Sequence, residues 1–222
     1  MPAASPPFHR YQPPAHKGLD ILYQDTDLLV VNKPPGLLSV PGRGPDRQDC
    51  LSGRVQEEFP AARIVHRLDM ETSGLLLLAL HAEAQHRLGL QFERREVHKE
   101  YIAVVRGRLP HAAGSIDLPL FSDWPNRPRQ KVDFLHGKAA LTHYRYLEQP
   151  AGGDTTRLLL NPVTGRSHQL RVHLKHLGHP ILGDRLYGED DDTERLLLHA
   201  RTLAFTHPGN GRTLHLDCPP DF

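Results

Sequence analysis

Leu75-Leu76-Leu77-Leu78-Ala79-Leu80 is an unbroken apolar run, with Gly74 immediately before it. Periodicity alone leaves a buried strand and a buried helix both open for such a run, but its length favours a strand covered on both faces. A chain built this way must close packed layers over both sides of a sheet, and 222 residues at 38% hydrophobic content are enough for one sizeable core. Directly ahead of the run stands His66-Arg67-Leu68-Asp69-Met70-Glu71-Thr72-Ser73-Gly74. A carboxylate two residues from a guanidinium, at the mouth of a buried strand, has no purpose in a core. It marks where chemistry is expected.

The remaining pattern surrounds that strand with further short elements. Asp27 to Lys33 reads as a strand, closed by the turn signal Pro34-Pro35-Gly36 and followed by a loop through Pro41 to Pro45. Ala84, Leu88 and Phe92 recur at four-residue spacing, which predicts an amphipathic helix over Glu83 to Glu96. Strands are expected at Tyr101 to Val105, Ser115 to Leu120, Leu141 to Leu147, Arg157 to Leu160, Leu196 to Phe205 and Thr213 to Leu216. A helix is expected from Ser167 to Leu177, capped by Ser167 or Thr164 and stopped by Gly178 and Pro180. Leu170, Leu174 and Leu177 share one of its faces, while His168, Arg171 and Lys175 share another. The expectation is an α/β (α+β) fold with an extended, mixed and mostly antiparallel sheet, flanked by helices. Residues 1–20 open with five prolines by Lys17 and read as a disordered arm, leaving 21–222 as one domain.

Charge fits a polyanionic partner and fits solvated faces equally well, so it does not decide between them. Five of the six residues from Glu189 to Glu194 are acidic and read as a solvated loop; without those five the chain carries 27 cations against 21 anions. Arg127, Arg129 and Lys131 cluster in one segment, and Arg166, Arg171 and Lys175 in another. Cys50 and Cys218 are too far apart in sequence to form a metal-type pair or a disulfide framework, which fits a reducing compartment. No stretch has the length of a membrane span, and the opening residues lack the order of a signal peptide, so a cytoplasmic protein with no membrane partner is expected. Sixteen histidines raise the question of a metal, but no His-Glu-x-x-His pattern occurs and none is expected. Phosphate-loop, dinucleotide and serine-hydrolase signatures are likewise missing.

Three ordered segments carry a resemblance. His66 to Gly74, Lys99-Glu100-Tyr101-Ile102-Ala103-Val104-Val105-Arg106-Gly107, and Thr164-Gly165-Arg166-Ser167-His168-Gln169-Leu170-Arg171-Val172-His173 together resemble the motifs of the RluA-type pseudouridine synthases. The likeness extends to Val31 to Gly36 and Gly178 to Asp184. It implies the pseudouridine synthase fold with a central catalytic cleft. The activity it implies breaks the bond from ribose C1′ to N1 of a uridine in RNA and rejoins the base through C5. It makes Asp69 the catalytic carboxylate, either forming a covalent intermediate or taking a proton from the sugar. It makes Arg171 the partner that favours the charged carboxylate, Tyr101 the ring that stacks on the base, and Arg67 the side chain that fills the gap left by a flipped nucleotide.

Asp123-Trp124-Pro125-Asn126-Arg127-Pro128-Arg129-Gln130-Lys131 resembles a segment of the subgroup that modifies both large-subunit ribosomal RNA and the anticodon stem-loop of tRNA, with Trp124 packing as an anchor. Lys33, Arg43, Arg127, Arg129, Lys131 and Arg166 are candidates for phosphate contacts. The resemblance implies RNA as partner and a reaction without a cofactor; a monomer is expected, and residues 1–20 leave no room for the small RNA-binding module that many larger relatives carry. Two other readings compete with it. A glycosidic-bond hydrolase would pair Asp69 with a second carboxylate, Glu71 being nearest. A silent RNA-binding module would have no use for Asp69, Tyr101 and Arg171 together.

Overall fold

A computed structural model describes residues 11–148, 153–188 and 191–222. Two strands come first, β1 (Ile21–Gln24) and β2 (Leu28–Lys33), and then a helix, α1 (Leu51–Glu58). The short β3 (Arg63–Ile64) leads through the His66 to Thr72 loop into β4 (Ser73–Ala79), the apolar run, all seven residues of which are buried. Next come α2 (Ala82–Glu93), β5 (His98–Arg106) and β6 (Ala113–Asp117), and then a two-stranded hairpin of β7 (Leu120–Ser122) and β8 (Gln130–Val132). β9 (Leu141–Glu148), β10 (Thr155–Pro162), α3 (Gln169–His176), β11 (Leu198–Thr206) and β12 (Thr213–Asp217) complete the chain.

Ten strands form one sheet in the order β1-β2-β4-β11-β5-β10-β9-β6, with β3 on β4 and β12 on β11. Every pairing is antiparallel except β11 with β4, so the sheet is mixed and mostly antiparallel as expected. That parallel pairing is brief, Ser73 opposite His199 and Gly74 opposite Ala200. Gly74 explains how it closes: its φ is +108°, and a Cβ there would lie 2.3 Å from the Ala200 carbonyl oxygen. Only glycine allows β11 to approach β4 at the strand's mouth. One apolar cluster centres on β5, β10 and α3 and another on β2, β4 and α1, with Tyr101 packed against both. The segments that carry the three motifs therefore meet near the middle of the sheet, at the seam between two cores.

Several local expectations change. The helix α1 has only Leu51 and Val55 as buried apolar side chains, too few to announce itself in the sequence. The run Ser115 to Leu120 divides between β6 and β7. Neither Thr164 nor Ser167 caps α3: His168 occupies that place in a left-handed conformation, φ 54°, without a side-chain cap bond. Gln169 ties the preceding loop instead, its Oε1 accepting from Thr164 Oγ1 at 2.7 Å and from the Arg166 N–H at 3.0 Å.

Residues 11–20 also differ from the expected disordered arm. Tyr11 is buried, its hydroxyl donating to the Asp49 carbonyl at 2.9 Å and accepting from the Leu38 N–H at 3.0 Å, while Arg54 donates to the Pro14 carbonyl at 2.6 Å. One aromatic anchor is enough to lay a proline-rich segment along the body. Residues 1–10 of that arm, and Glu189 and Asp190 of the acidic run, lie outside the described residues. Among the described residues no helix is long and apolar enough to cross a membrane.

Candidate active site

The loop that carries Asp69 is fastened at three points. Ser39 Oγ donates to the Leu68 carbonyl at 2.7 Å and accepts from the Leu68 N–H at 3.1 Å. Lys33 Nζ donates to the Met70 carbonyl at 2.9 Å, and to the carbonyls of Pro34 and Leu37 at 2.8 Å each. His66 Nε2 accepts from the Leu77 N–H at 2.9 Å. β11 pairs with β4 only at Ser73 and Gly74 and β3 only at Leu78 and Ala79, so this imidazole completes the ladder where no strand reaches. Stacked on Phe92 with ring centroids 4.7 Å apart, His66 is pulled down to a pKa of about 3 by burial, and the charge of Lys99 adds to the effect. It is therefore a neutral acceptor.

Lys33 corrects an expectation. It is fully buried, and its three N–H bonds are all spent on carbonyls, so it holds the loop and does not face RNA. Burial lowers its pKa to about 7, with the charges of Glu71 and Asp69 working the other way.

Asp69 projects into a cleft of about 750 Å³ whose walls include Arg67, Tyr101, Arg166, His168 and Arg171. Arg171 Nη1 lies 3.3 Å from Asp69 Oδ2. The guanidinium is almost wholly buried, and its other side meets Asp184 in a bidentate pair, Nε to Oδ2 at 2.8 Å and Nη2 to Oδ1 at 2.7 Å. Burial by itself would depress its pKa; the hydrogen bonds and charge of Asp184, with that of Asp69, more than reverse this and hold it above the ordinary arginine value. Asp184 Oδ1 also accepts from the N–H groups of Leu186 and Tyr187, at 3.0 and 3.1 Å. A fully satisfied buried carboxylate thus aims a fixed cation at a partly exposed one.

Tyr101, on β5, is pushed well above the usual phenol range, first by burial and then by the charge of Asp69. It stays a neutral, flat ring beside the carboxylate. Arg67 is exposed on the rim, and Arg166 is exposed with its Nε donating to the Ala139 carbonyl at 3.1 Å. Asp69 to Thr72 is a turn, the Thr72 N–H reaching the Asp69 carbonyl at 3.1 Å, and Glu71 does not line the cleft. The second carboxylate of a hydrolase is not supplied by Glu71.

The other expected cations lie away from the cleft wall. Arg43 is exposed on the loop before α1, and Arg127, Arg129 and Lys131 belong to the β7 to β8 hairpin. Lys131 is paired with Asp133 at 3.1 Å. Trp124 does not pack as an anchor: it is 60% exposed, with the Arg127 guanidinium 3.1 Å from its ring centroid. The histidines near α3 are spent separately, His173 on Thr142 and the Leu118 carbonyl, His179 on the Arg106 carbonyl. Asp184 fell within the resemblance but was given no role there, while Ser39 and Tyr187 escaped notice because their partners, Leu68 and Gln130, lie far along the chain. The only local hint was Gly183-Asp184 after an apolar pair.

A mixed sheet thus carries a cleft in which a carboxylate is held against a buried arginine. Residues 27–176 match the family described as RNA pseudouridylate synthase, and the chain belongs to that family, whose members are isomerases acting on uridine in RNA. It is 51% identical over 215 residues to the Dual-specificity RNA pseudouridine synthase RluA of Escherichia coli (strain K12), covering 96% of this chain and 98% of that one. Its identity to the protein of the same name from Yersinia pestis is 51% over 205 residues, 91% of this chain and 99% of the other. Human RNA Pseudouridylate Synthase Domain Containing 1 superposes with a TM-score of 0.78 at 33% identity, over 95% of this chain and 87% of that one. Human RNA Pseudouridylate Synthase Domain Containing 4 gives 0.72 at 28%, over 90% and 88%.

Proposed function

We propose that this chain isomerises uridine in large-subunit ribosomal RNA and in the anticodon stem-loop of tRNA, with Asp69 as the catalytic carboxylate. The observation that carries this reading is the buried arrangement of Asp184, Arg171 and Asp69 beside the neutral ring of Tyr101, inside a cleft rimmed by Arg67 and Arg166. A uridine turned out of its stack enters the cleft and lies on Tyr101, while Arg67 occupies the vacated place. Asp69 acts on the ribose or on the uracil ring. The C1′ to N1 bond breaks, the base turns, C5 bonds to C1′, and the proton on C5 leaves to solvent as N1 gains one. No redox change or group donor enters this balance, so the reaction runs without a cofactor. Arg166 supplies a phosphate contact at the rim, and Arg43, Arg127 and Arg129 supply others outside the pocket. The catalytic domain spans residues 21–222 and works as a cytoplasmic monomer.

Separate ribosomal RNA and tRNA transcripts carrying tritium at uridine C5 test the assignment. Release of tritium from both is expected, and loss of release from both in Asp69→Ala. Release from one transcript only would restrict the substrate to that class; free uracil in place of retained base would make the enzyme a hydrolase.

A further inference from the structure

His168 opens α3 in the left-handed region and forgoes a capping bond, in a place where serine, threonine or aspartate would cap. Its ring turns toward the cleft instead. Nδ1 lies 2.6 Å from the hydroxyl of Tyr187, and Nε2 lies 3.9 Å from Asp69 Oδ1. The same Tyr187 oxygen accepts the backbone N–H of Gln130, on β8, at 2.7 Å.

Proton bookkeeping then decides the tautomer. A phenol owns one proton, and burial raises the Tyr187 pKa to about 12, so that proton is in place. Gln130 is a donor and cannot receive it. Among the described residues, the acceptor recorded for it is His168 Nδ1. A neutral imidazole that accepts at Nδ1 carries its hydrogen on Nε2. Burial is also the first cause lowering the His168 pKa, in keeping with a neutral ring. The free N–H therefore faces Asp69.

We infer that Tyr187 and His168 form a positioning pair, in which the Tyr187 hydroxyl fixes the His168 tautomer so that Nε2–H addresses Asp69 Oδ1 while Arg171 addresses Oδ2. This rests on the reading of Asp69 as the catalytic carboxylate. The two donors approach different oxygens, so together they set the rotation of the carboxylate plane, which a single arginine contact at 3.3 Å leaves free. At 3.9 Å the contact is longer than a hydrogen bond, and the pair requires it to shorten once substrate is bound. One turn supports both donors: Asp184 grips Arg171 with its carboxylate and holds the Tyr187 N–H through Oδ1, and the Tyr187 ring lies 5.1 Å from the Arg171 guanidinium carbon. Through Gln130, the pair is also bonded to the hairpin that carries Arg127 and Arg129. Two side chains, Tyr187 and His168, stand between that hairpin and the catalytic carboxylate.

The test is single-turnover tritium release and RNA affinity, measured on the full chain with the tRNA and ribosomal transcripts described above. Tyr187→Phe keeps the ring and removes only the hydroxyl. Its rate constant should fall about tenfold, with RNA affinity within about twofold of wild type. His168→Ala should lose about a hundredfold, and His168→Gln should recover at least about tenfold over His168→Ala, because its amide N–H reaches the place of Nε2–H. Wild-type rates in Tyr187→Phe, a defect confined to affinity, or glutamine no better than alanine would each overturn the pair. Asp69→Ala runs in parallel: turnover there would overturn the underlying reading, whereas a dead Asp69→Ala with a fully active Tyr187→Phe would overturn the pair alone.

Discussion

The loop and strand from His66 to Ala79, which carry Asp69 into the cleft, and the hairpin lobe from Leu120 to Lys138, which lies away from its wall, are built in opposite ways. β4 is buried along its whole length, and the loop before it is pinned by Ser39, Lys33 and His66. The hairpin lobe leaves Trp124, Phe134 and Leu135 exposed, the last two at 76% and 83%. It is nonetheless ordered, since Asp133 Oδ1 accepts from the N–H groups of Leu135 and His136 at 3.1 and 2.9 Å. Positioning one carboxylate requires a frame that cannot yield, so apolar area and satisfied polar groups concentrate behind Asp69. On the proposed reading the lobe meets a long polyanion, a task for which exposed cations and aromatic side chains suffice.

That contrast breaks first at Asp184. Asp184→Ala leaves the buried Arg171 with Asp69 as its remaining carboxylate, and should cost about 3 to 5 kcal/mol in urea unfolding. A cost under about 1 kcal/mol would mean the frame does not depend on this ion pair. Next in size is a paired truncation. Leu77→Ala, in the core under β4, should cost about 3 kcal/mol, while Leu135→Ala should stay within about 0.5 kcal/mol. Equal costs would erase the distinction between the regions.

The frame should also be the acid-sensitive part. His66 has a folded pKa of about 3 against 6.5 in the unfolded chain, so between those values the unfolded state binds the extra proton. Stability held above pH 6.5 is then lost as pH falls toward 3, by up to about 1 kcal/mol per pH unit for a ring that keeps some solvent contact. His66→Gln, which retains an acceptor for the Leu77 N–H, should flatten that slope in denaturant melts between pH 4 and 6; an unchanged slope would place the sensitivity elsewhere. The smallest effect belongs to the lobe. Arg127→Gln should weaken RNA binding by about 1 kcal/mol and lower the salt slope by about 1, with the rate of bound RNA unaltered. A slope equal to wild type would remove Arg127 from the phosphate contacts.

The two regions were also unequally legible. The strand read over Gly74 to Leu80 matches β4 to within one residue at each end, because burial on both faces leaves a signal that needs no partner. Asp69, Tyr101 and Arg171 were named through the ordered motifs, and all three line one cleft. What supports them was hidden by distance along the chain: Arg171 meets Asp69 across 102 positions, and Tyr187 meets Gln130 across 57. Lys33 misled for a physical reason, since a lysine beside a turn reads as solvated until three carbonyls are found around it. Trp124 misled in the opposite sense, because indole suits a core or a stacking surface equally well, and only the fold shows that it faces out.

The most direct measurement is nucleoside analysis of RNA after single-turnover reaction with wild type and with Asp69→Asn, which keeps the shape of the side chain and removes its charge. Digested transcripts should contain pseudouridine with the wild type and none with Asp69→Asn, although the variant binds the RNA as tightly. Pseudouridine formed by Asp69→Asn within about tenfold of the wild-type rate would contradict the account, because the frame would then be holding a side chain the reaction does not need.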